Sequence, residues 1–144
     1  MSLAIVYTRA ALGIEAPLIT VEVHLSNGLP GLTMVGLPET TVKEARDRVR
    51  SALINSGYAF PAKKITINLA PADLPKEGGR YDLPIALALL VASEQLNTTR
   101  LNQYEFVGEL ALTGGLRGVP GAIPSAMEAI KAGRRIVVSS DNAA

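Results

Sequence analysis

Apolar and polar residues alternate in the first third of the chain. In ITVEVHLS the odd positions of residues 21–25 are apolar and the even positions are polar, which is typical of a strand with one buried face. The turn residues NGLPG, 27–31, separate this segment from LTMVG, and β-branched residues are frequent throughout residues 3–35. The pattern predicts an antiparallel meander over residues 3–35.

The period then changes to three and four residues in TVKEARDRVRSALINSG. Apolar positions recur on one face of a helix through residues 42–53. Thr41 and Glu44 have the spacing of a capping box, and Gly57 has the position of a helix-ending glycine. We expect a helix over residues 41–57.

The remaining elements follow from the same patterns. KKITINLA alternates as a half-buried strand, and YEFVGELALTG and RRIVVSS are further predicted strands. A helix apolar on nearly all sides follows Asp82, which we expect to cap it, and PSAMEAIKAG predicts a short helix ending at Gly133. The order of elements predicts an α+β or α/β fold, with one sheet packed by helices.

Length and composition favour one globular domain over residues 1–144. The chain is 48% hydrophobic and 19% charged, and 14 basic residues against 13 acidic ones give a net charge of +1. No global field therefore attracts nucleic acid or membrane, and a charged partner must meet a local patch. The chain has no cysteine, which suits a reducing compartment, and no apolar run long enough to span a membrane. We expect a cytoplasmic protein.

Several chemical motifs are missing from the sequence. There is no G-x-x-x-x-G-K-[ST], no G-x-S-x-G and no H-E-x-x-H. The single histidine, His24, lies on the polar side of a predicted strand, and we interpret it as an ordinary exposed residue. We expect no metal site.

Basic residues occupy the predicted helix face opposite the apolar stripe. One interpretation is a solvated face, partly paired with acidic residues of the same helix. The other is a phosphate-binding stripe, extended by two lysines before the next strand, that contacts backbone because no aromatic lies within it. The candidate nucleic-acid-binding residues are Lys43, Arg46, Arg50, Lys63 and Lys64.

The loop PKEGGRYD brings four charged residues together. One interpretation is structural: the glycines permit a tight turn, Asp82 caps the helix and the charges pair with one another. The other is a docking loop presented by the rigid helix behind it. The candidate docking residues are Lys76, Glu77, Arg80 and Asp82.

Three long motifs occur in a fixed order: GLPETTVKEARDRVRSALINSGYAFP, ITINLAPADLPKEGGRYDLPIALALL and FVGELALTGGLRGVPGA. With these motifs the whole chain resembles the N-terminal domain of the ComM/YifB family, magnesium-chelatase-related AAA+ proteins of bacteria. The resemblance implies a fragment of a longer protein, followed by an AAA+ ATPase module that binds ATP and Mg²⁺. The abrupt end SSDNAA, directly after a predicted strand, leads to the same expectation of a fragment.

What the resemblance implies for function is a ring-forming motor on DNA. Its activity would be branch migration during integration of incoming DNA in natural transformation. The expected partners are the AAA+ module of the same chain, sister subunits and DNA, with no membrane partner. Insertion of magnesium into a porphyrin is not implied, because that label belongs to the ATPase module.

The chain is also similar, more distantly, to the proteolytic domain of Lon and the matching domain of RadA. That similarity implies a ribosomal-protein-type βαβ fold, of the ribosomal protein S-five domain-two kind. In the Lon pattern a lysine-acid-glycine turn leads to a nucleophilic serine, and here Asp82 stands at that position. An apolar residue near Ile123 stands where the activating lysine belongs, and no general base is evident for Ser125. We therefore expect no catalytic residue, the alternative being an altered hydrolase that uses Glu77, Asp82 or Glu109.

Overall fold

A computed structural model describes residues 2–74, 76, 78–97 and 99–143. The elements, in chain order, are β1 Ser2–Arg9, β2 Leu18–Ser26, β3 Gly31–Val35, α1 Glu39–Asn55, β4 Lys64–Ala70, α2 Asp82–Ala92, a 3₁₀ turn Leu101–Gln103, β5 Tyr104–Phe106, β6 Glu109–Leu110, β7 Leu116–Arg117, α3 Ala122–Lys131, β8 Arg135–Val137 and α4 Ser140–Ala143. The chain is a mixed α+β protein with one large mixed sheet.

Six strands form the main sheet in the order β3-β4-β2-β1-β5-β8. β1, β2 and β4 are antiparallel neighbours, whereas β3 pairs with β4 in parallel and β5 pairs in parallel with both β1 and β8. The predicted meander is correct for β1 and β2 but wrong for β3, because β4 lies between β2 and β3. A parallel neighbour requires a long crossover, and α1 supplies it between β3 and β4.

One face of the sheet forms the core. Alternate residues of β1, β2 and β4 pack there against α2, which also contacts α1. α2 is apolar on nearly all sides because it is buried between the sheet and α1, as its sequence predicted. The buried strand residues are Ala4, Val6, Ile19, Val21, Val23, Leu25, Ile65, Ile67 and Leu69.

The opposite face of the sheet is covered only at one end. α3 packs on β8, and the carbonyl of Glu128 lies 3.4 Å from Nη2 of Arg9, whose side chain points away from the core face. Farther along β1, Leu3 and Ile5 are exposed on this second face. α2 and α3 therefore cover opposite faces of the sheet. The site described below lies at the end of the sheet that both helices contact.

The predicted helix ends are confirmed, whereas the predicted helix starts are wrong. Gly57 and Gly133 follow α1 and α3 with φ of +88° and +79°, as helix-ending glycines do. α1 begins at Glu39 after Pro38 without a side-chain cap, so Thr41 lies inside the helix. Asp82 is the first residue of α2 and makes no capping bond. The proline before α1 already fixes an extended entry, which moves its start two residues earlier.

The segment YEFVGELALTG forms two elements and not one strand. β5 ends at Phe106, and Glu109–Leu110 pairs instead with Leu116–Arg117 in a small second sheet. The N–H of Gly108 donates to the carbonyl of Arg80, 3.0 Å away, and a Cβ on Gly108 would lie 2.5 Å from Cδ1 of Leu116. The chain therefore leaves the main sheet at a position where a side chain does not fit. Within the described residues, no helix is long and apolar enough to span a membrane.

Candidate functional site

A glycine turn carries the chain from the loop after β4 into α2. The N–H of Asp82 donates to the carbonyl of Gly79 at 3.0 Å. A Cβ on Gly79 would lie 2.2 Å from Oε1 of Glu109, so the carboxylate of Glu109 occupies the space that the glycine leaves. This turn forms one wall of a cleft of about 540 Å³, lined by Gly78, Gly79, Arg80, Glu109, Gly118 and Pro120 among others. The turn, the cleft and the start of α2 form the candidate site.

Asp82 lies beneath this turn and is 0% exposed. Nε of Arg48, from α1, donates to Oδ2 of Asp82 at 2.7 Å, and Nη2 of the same arginine donates to Oδ1 at 3.2 Å. The N–H of Leu110 donates to Oδ2 at 3.1 Å. Both carboxylate oxygens are therefore engaged, and the carboxylate joins α1, α2 and β6.

Burial dominates the protonation of Asp82. Desolvation raises the pKa of Asp82 to about 6, against the opposing effects of Arg48 and of the Leu110 N–H. The hydrogen bond from Arg48 to Asp82 raises the pKa of the arginine, so its charge is retained. The arrangement gives Asp82 a guanidinium partner, which cannot accept a proton from a nucleophile.

Arg80 fills the space between the turn and the end of β1. Its Nε donates to the carbonyl of Arg9 at 3.0 Å, Nη1 to the carbonyl of Pro120 at 2.6 Å and Nη2 to Oγ of Ser125 at 3.1 Å. Burial lowers the pKa of Arg80. The guanidinium of Arg80 therefore links the end of β1 and the start of α3 to the turn that precedes α2.

A second buried ionic group lies near Arg80. Glu105, in the centre of β5 and 0% exposed, accepts from Nε and Nη2 of Arg9 at 2.6 and 2.9 Å and from Nη1 of Arg134 at 3.1 Å. The guanidinium of Arg134 also lies 4.0 Å from the ring centroid of Tyr7. One carboxylate thus links β1, β5 and the start of β8.

Ser125 is the hydroxyl nearest to the position where the Lon pattern has its lysine. It is 0% exposed in α3, and its Oγ accepts from Arg80. A hydroxyl that accepts from a guanidinium has a donor beside it and not a base. The geometry holds Ser125 as a structural acceptor.

The structure buries the three residues of the predicted docking loop that it describes, so their side chains are not exposed for a partner. Lys76 is buried and donates to the carbonyls of Pro71 and Leu74, and Arg80 and Asp82 are buried with the partners given above. The partners described for Lys76, Arg80 and Asp82 are backbone groups and side chains distant in the sequence. Glu77 lies outside the described residues.

The predicted basic stripe is only partly assembled. Lys43, Arg46 and Arg50 are exposed on α1. The guanidinium of Arg50 lies 5.4 Å from the ring centroid of Phe60, so one aromatic adjoins the stripe after all. Nε of Arg46 lies 3.8 Å from Oδ1 of Asp47, a weak surface pair.

Lys63, before β4, and Lys64, its first residue, do not continue this stripe as one surface. Nζ of Lys63 donates to Oδ1 of Asn27 at 3.0 Å. Lys64 alternates with Ile65, which points to the helices, so its side chain projects from the opposite face of the sheet. Strand alternation therefore separates Lys64 from the cations of α1.

The charged residues that organise the interior were not predicted as site residues. Arg9, Arg48, Glu105 and Arg134 are absent from the predicted candidates, because their ion pairs join residues far apart in the sequence. The sequence carries no local signal for the burial of Glu105, because a residue between two aromatics of a strand points to the opposite face from them. His24 is half-buried and not exposed as predicted, and its Nε2 has no hydrogen-bond partner among the described residues.

The site offers oxygen ligands but no metal-binding geometry. Over the part of the chain that the structure describes, no group of three or more histidine, cysteine, aspartate or glutamate side chains could hold an ion. Arg48 binds both oxygens of the buried Asp82, and the carboxylate that lines the cleft is that of Glu109.

Comparison with known proteins places the chain in a family. The family described as subunit ChlI of Mg-chelatase matches residues 21–142. This chain belongs to that family. It is 82% identical over its whole length to YifB of Salmonella typhimurium and 65% identical over 143 residues to competence protein ComM of Haemophilus influenzae. A Mycobacterium tuberculosis relative, Rv2897c, is 38% identical over 143 residues. In each case the chain spans 28% of the relative's length.

Removing the arginine alone leaves the Asp82 carboxylate buried without its cation. We expect Arg48→Met to lower the free energy of unfolding by about 3–5 kcal/mol at pH 8, measured by urea titration. The double variant Arg48→Met, Asp82→Leu should recover a large part of that loss, because neither charge remains. Arg46→Met on the same helix is the matched control and should cost less than about 0.5 kcal/mol. An equal loss in the Arg46 and Arg48 variants would contradict the pairing.

The raised pKa of Asp82 also predicts how stability depends on pH. The folded state holds this proton more tightly than the unfolded state, whose pKa is near 3.8, so folding is favoured below that pKa. The contribution of Asp82 to the free energy of unfolding is lost as the pH rises through about 6, and the loss amounts to up to about 3 kcal/mol. Asp82→Asn should not show that loss, whereas Asp47→Asn, at an exposed carboxylate, should behave as the wild type. If the wild type gains stability over Asp82→Asn across this window, the pKa is lowered and our interpretation is wrong.

Proposed function

We propose that this chain is a non-catalytic module of an ATP-driven DNA motor of the ComM type. The observation that carries the proposal is the state of Asp82, the residue at the helix start where a Lon-like protease has its nucleophile. Its carboxylate is 0% exposed, and both oxygens accept from Arg48. A carboxylate held in this way is an internal structural ligand and is unable to attack an amide.

The fold that we propose is Lon-protease-domain-like, of the ribosomal protein S-five domain-two type. It is supported by the parallel unit β3-α1-β4 and by the glycine turn that leads from β4 into the apolar helix α2. In this proposal the chain retains the glycine turn and the apolar helix of the Lon-like fold but lacks its catalytic serine and lysine.

The motor itself belongs to the part of the longer relatives that this chain does not span. We assign ATP and Mg²⁺ to an AAA+ module there, with sister subunits forming a ring, and we place the protein in the cytoplasm. The printed name of the Haemophilus influenzae relative, a competence protein, supports a role in natural transformation, which we propose to be branch migration.

The proposed DNA contact lies on α1. Lys43, Arg46 and Arg50 are exposed on this helix, and with a net charge of only +1 such a local patch is what would attract a phosphate backbone. Phe60 packs against the core beneath the guanidinium of Arg50, which favours contact with the phosphate backbone and not with bases. Lys63 lies in the loop before β4 and is a weaker candidate, and Lys64 projects from the other face.

A salt series tests the DNA contact. We expect fluorescence anisotropy with single-stranded, duplex and four-way-junction DNA to show binding that weakens with salt. The double variant Arg46→Ala, Arg50→Ala should bind more weakly and reduce the slope of log K against log salt by about 1–2.

The matched control removes two cations elsewhere on the surface. Lys131→Ala, Arg135→Ala carries the same change of charge, so it should retain the slope of the wild type if contact is local to α1. Equal losses in both double variants would reveal only a general charge effect. No binding at low salt would contradict a direct DNA contact by this chain.

The alternative of an altered hydrolase has a direct test. We expect the wild-type chain to leave a denatured protein substrate intact, as judged by release of peptides over buffer alone, because both oxygens of Asp82 are bound to Arg48. Turnover that disappears in Asp82→Asn, with the fold retained by circular dichroism, would contradict the non-catalytic proposal. The variant Glu109→Gln tests the carboxylate that lines the cleft independently of the buried carboxylate of Asp82.

A further inference from the structure

One carboxylate beside the cleft lacks the partner that its neighbours have. Asp82 is bound by one arginine of the chain and Glu105 by two. Glu109, at the start of β6, is half-buried and lines the cleft. Among the residues that the structure describes, no cation forms an ion pair with Glu109 and no group donates a hydrogen bond to it. A carboxylate that is partly removed from water needs such a partner.

The cations of the chain around the cleft are engaged elsewhere. All three guanidinium nitrogens of Arg48 face other carboxylates. Those of Arg80, which lines the cleft, donate to two carbonyls and a hydroxyl, and the amine of Lys76 donates to two carbonyls. Arg117 lies opposite Glu109 in the pair of β6 and β7, but it is exposed and forms no ion pair with it. The partner of Glu109 is therefore expected from outside the chain.

The cleft has room for an aliphatic stem that ends in a cation. Its volume of about 540 Å³ lies within the range of small-ligand sites. The apolar residues of its lining are Ala11, Leu12, Val119 and Pro120. The glycines of its lining are Gly13, Gly78, Gly79 and Gly118. The carboxylate of Glu109 occupies the space that the missing side chain of Gly79 leaves, so it lies at the wall formed by the glycine turn.

A guanidinium suits this position better than an ammonium. It pairs with a carboxylate through two parallel N–H groups and is more weakly hydrated, so it loses less when it enters a half-buried cleft. The aliphatic part of such a ligand would lie along the apolar part of the lining. The same pairing is already present in this molecule, since arginines bind both Asp82 and Glu105.

We propose that the cleft binds a guanidinium group carried on an aliphatic stem, with Glu109 as its carboxylate partner. The group is that of an arginine in another polypeptide or that of a small guanidine, and the chemistry at Glu109 is the same for both. The site goes beyond the proposed DNA contact on α1 and does not rest on it, so either proposal can fail without the other.

The experiment titrates acetyl-arginine methylamide into the ¹⁵N-labelled chain and follows the amide signals by NMR. We expect the signals of Gly78, Gly79 and Gly118 to shift, with a dissociation constant on the order of 1 mM. Acetyl-citrulline methylamide has a similar shape without the charge and should bind at least about tenfold more weakly. n-Butylguanidinium distinguishes the two sources: weaker binding than the blocked arginine indicates a polypeptide, and binding at least as tight indicates a small guanidine.

Three variants test the role of Glu109. Glu109→Gln keeps the shape of the side chain without its charge, so it should bind the blocked arginine about tenfold more weakly. The matched control, Glu94→Gln, removes the same charge from an exposed position beyond the other end of α2 and should bind as the wild type. Arg117→Gln should also bind as the wild type. Circular dichroism shows whether each variant is folded.

Four outcomes would overturn the proposal. The first is equal binding of the arginine and citrulline compounds to the wild type, a comparison that needs no variant to fold. The second is an unchanged affinity in a folded Glu109→Gln variant. The third is a set of shifted amides that lies outside the cleft. The last is binding that appears only in Arg117→Gln, since the arginine of the chain itself would then be the partner of Glu109.

Discussion

Burial of the carboxylate of Asp82 is the constraint on which the surrounding structure depends. A charge inside a protein must find a partner, and Arg48 reaches across from α1 to provide it. The Leu110 N–H completes the set by bringing β6 against the start of α2. The same requirement recurs at Arg80 and at Glu105, which bind β1 to α3 and to β8. The interior at this end of the sheet is therefore held by charge-assisted hydrogen bonds, while the rest of the core is apolar.

This arrangement separates the architecture of the glycine turn from catalysis. The carboxylate of Glu109 lies where a side chain at Gly79 would be, and the turn leads to Asp82 in the interior. At the same position a small exposed hydroxyl would be available to a substrate, whereas a carboxylate already bound to Arg48 is not.

The sequence predicted those parts of the fold that local patterns determine. Alternation located β2 and β4, and the three- and four-residue period located α1 with its end at Gly57. Strand order was not predictable, because NGLPG reads as a hairpin connection while β3 pairs with β4 through the α1 crossover. Asp82 was read as a cap because a helix start usually uses a carboxylate in that way; its actual partner, Arg48, is 34 residues away along the chain. Long-range ion pairs leave no local pattern, so the buried network could not be derived from spacing.

The structural role of Asp82 is tested most directly by titrating its carboxyl group in the wild-type chain, with the ¹³C chemical shift of the carboxyl carbon as the readout. We expect a pKa raised to about 6 by burial. The amide signal of Leu110 should shift at the same midpoint, because that N–H donates to the carboxylate. A midpoint near the ordinary value of 3.8, with no response of the Leu110 amide, would show a solvated carboxylate. That result would contradict the structural role of Asp82. The cleft would then again be a candidate active site.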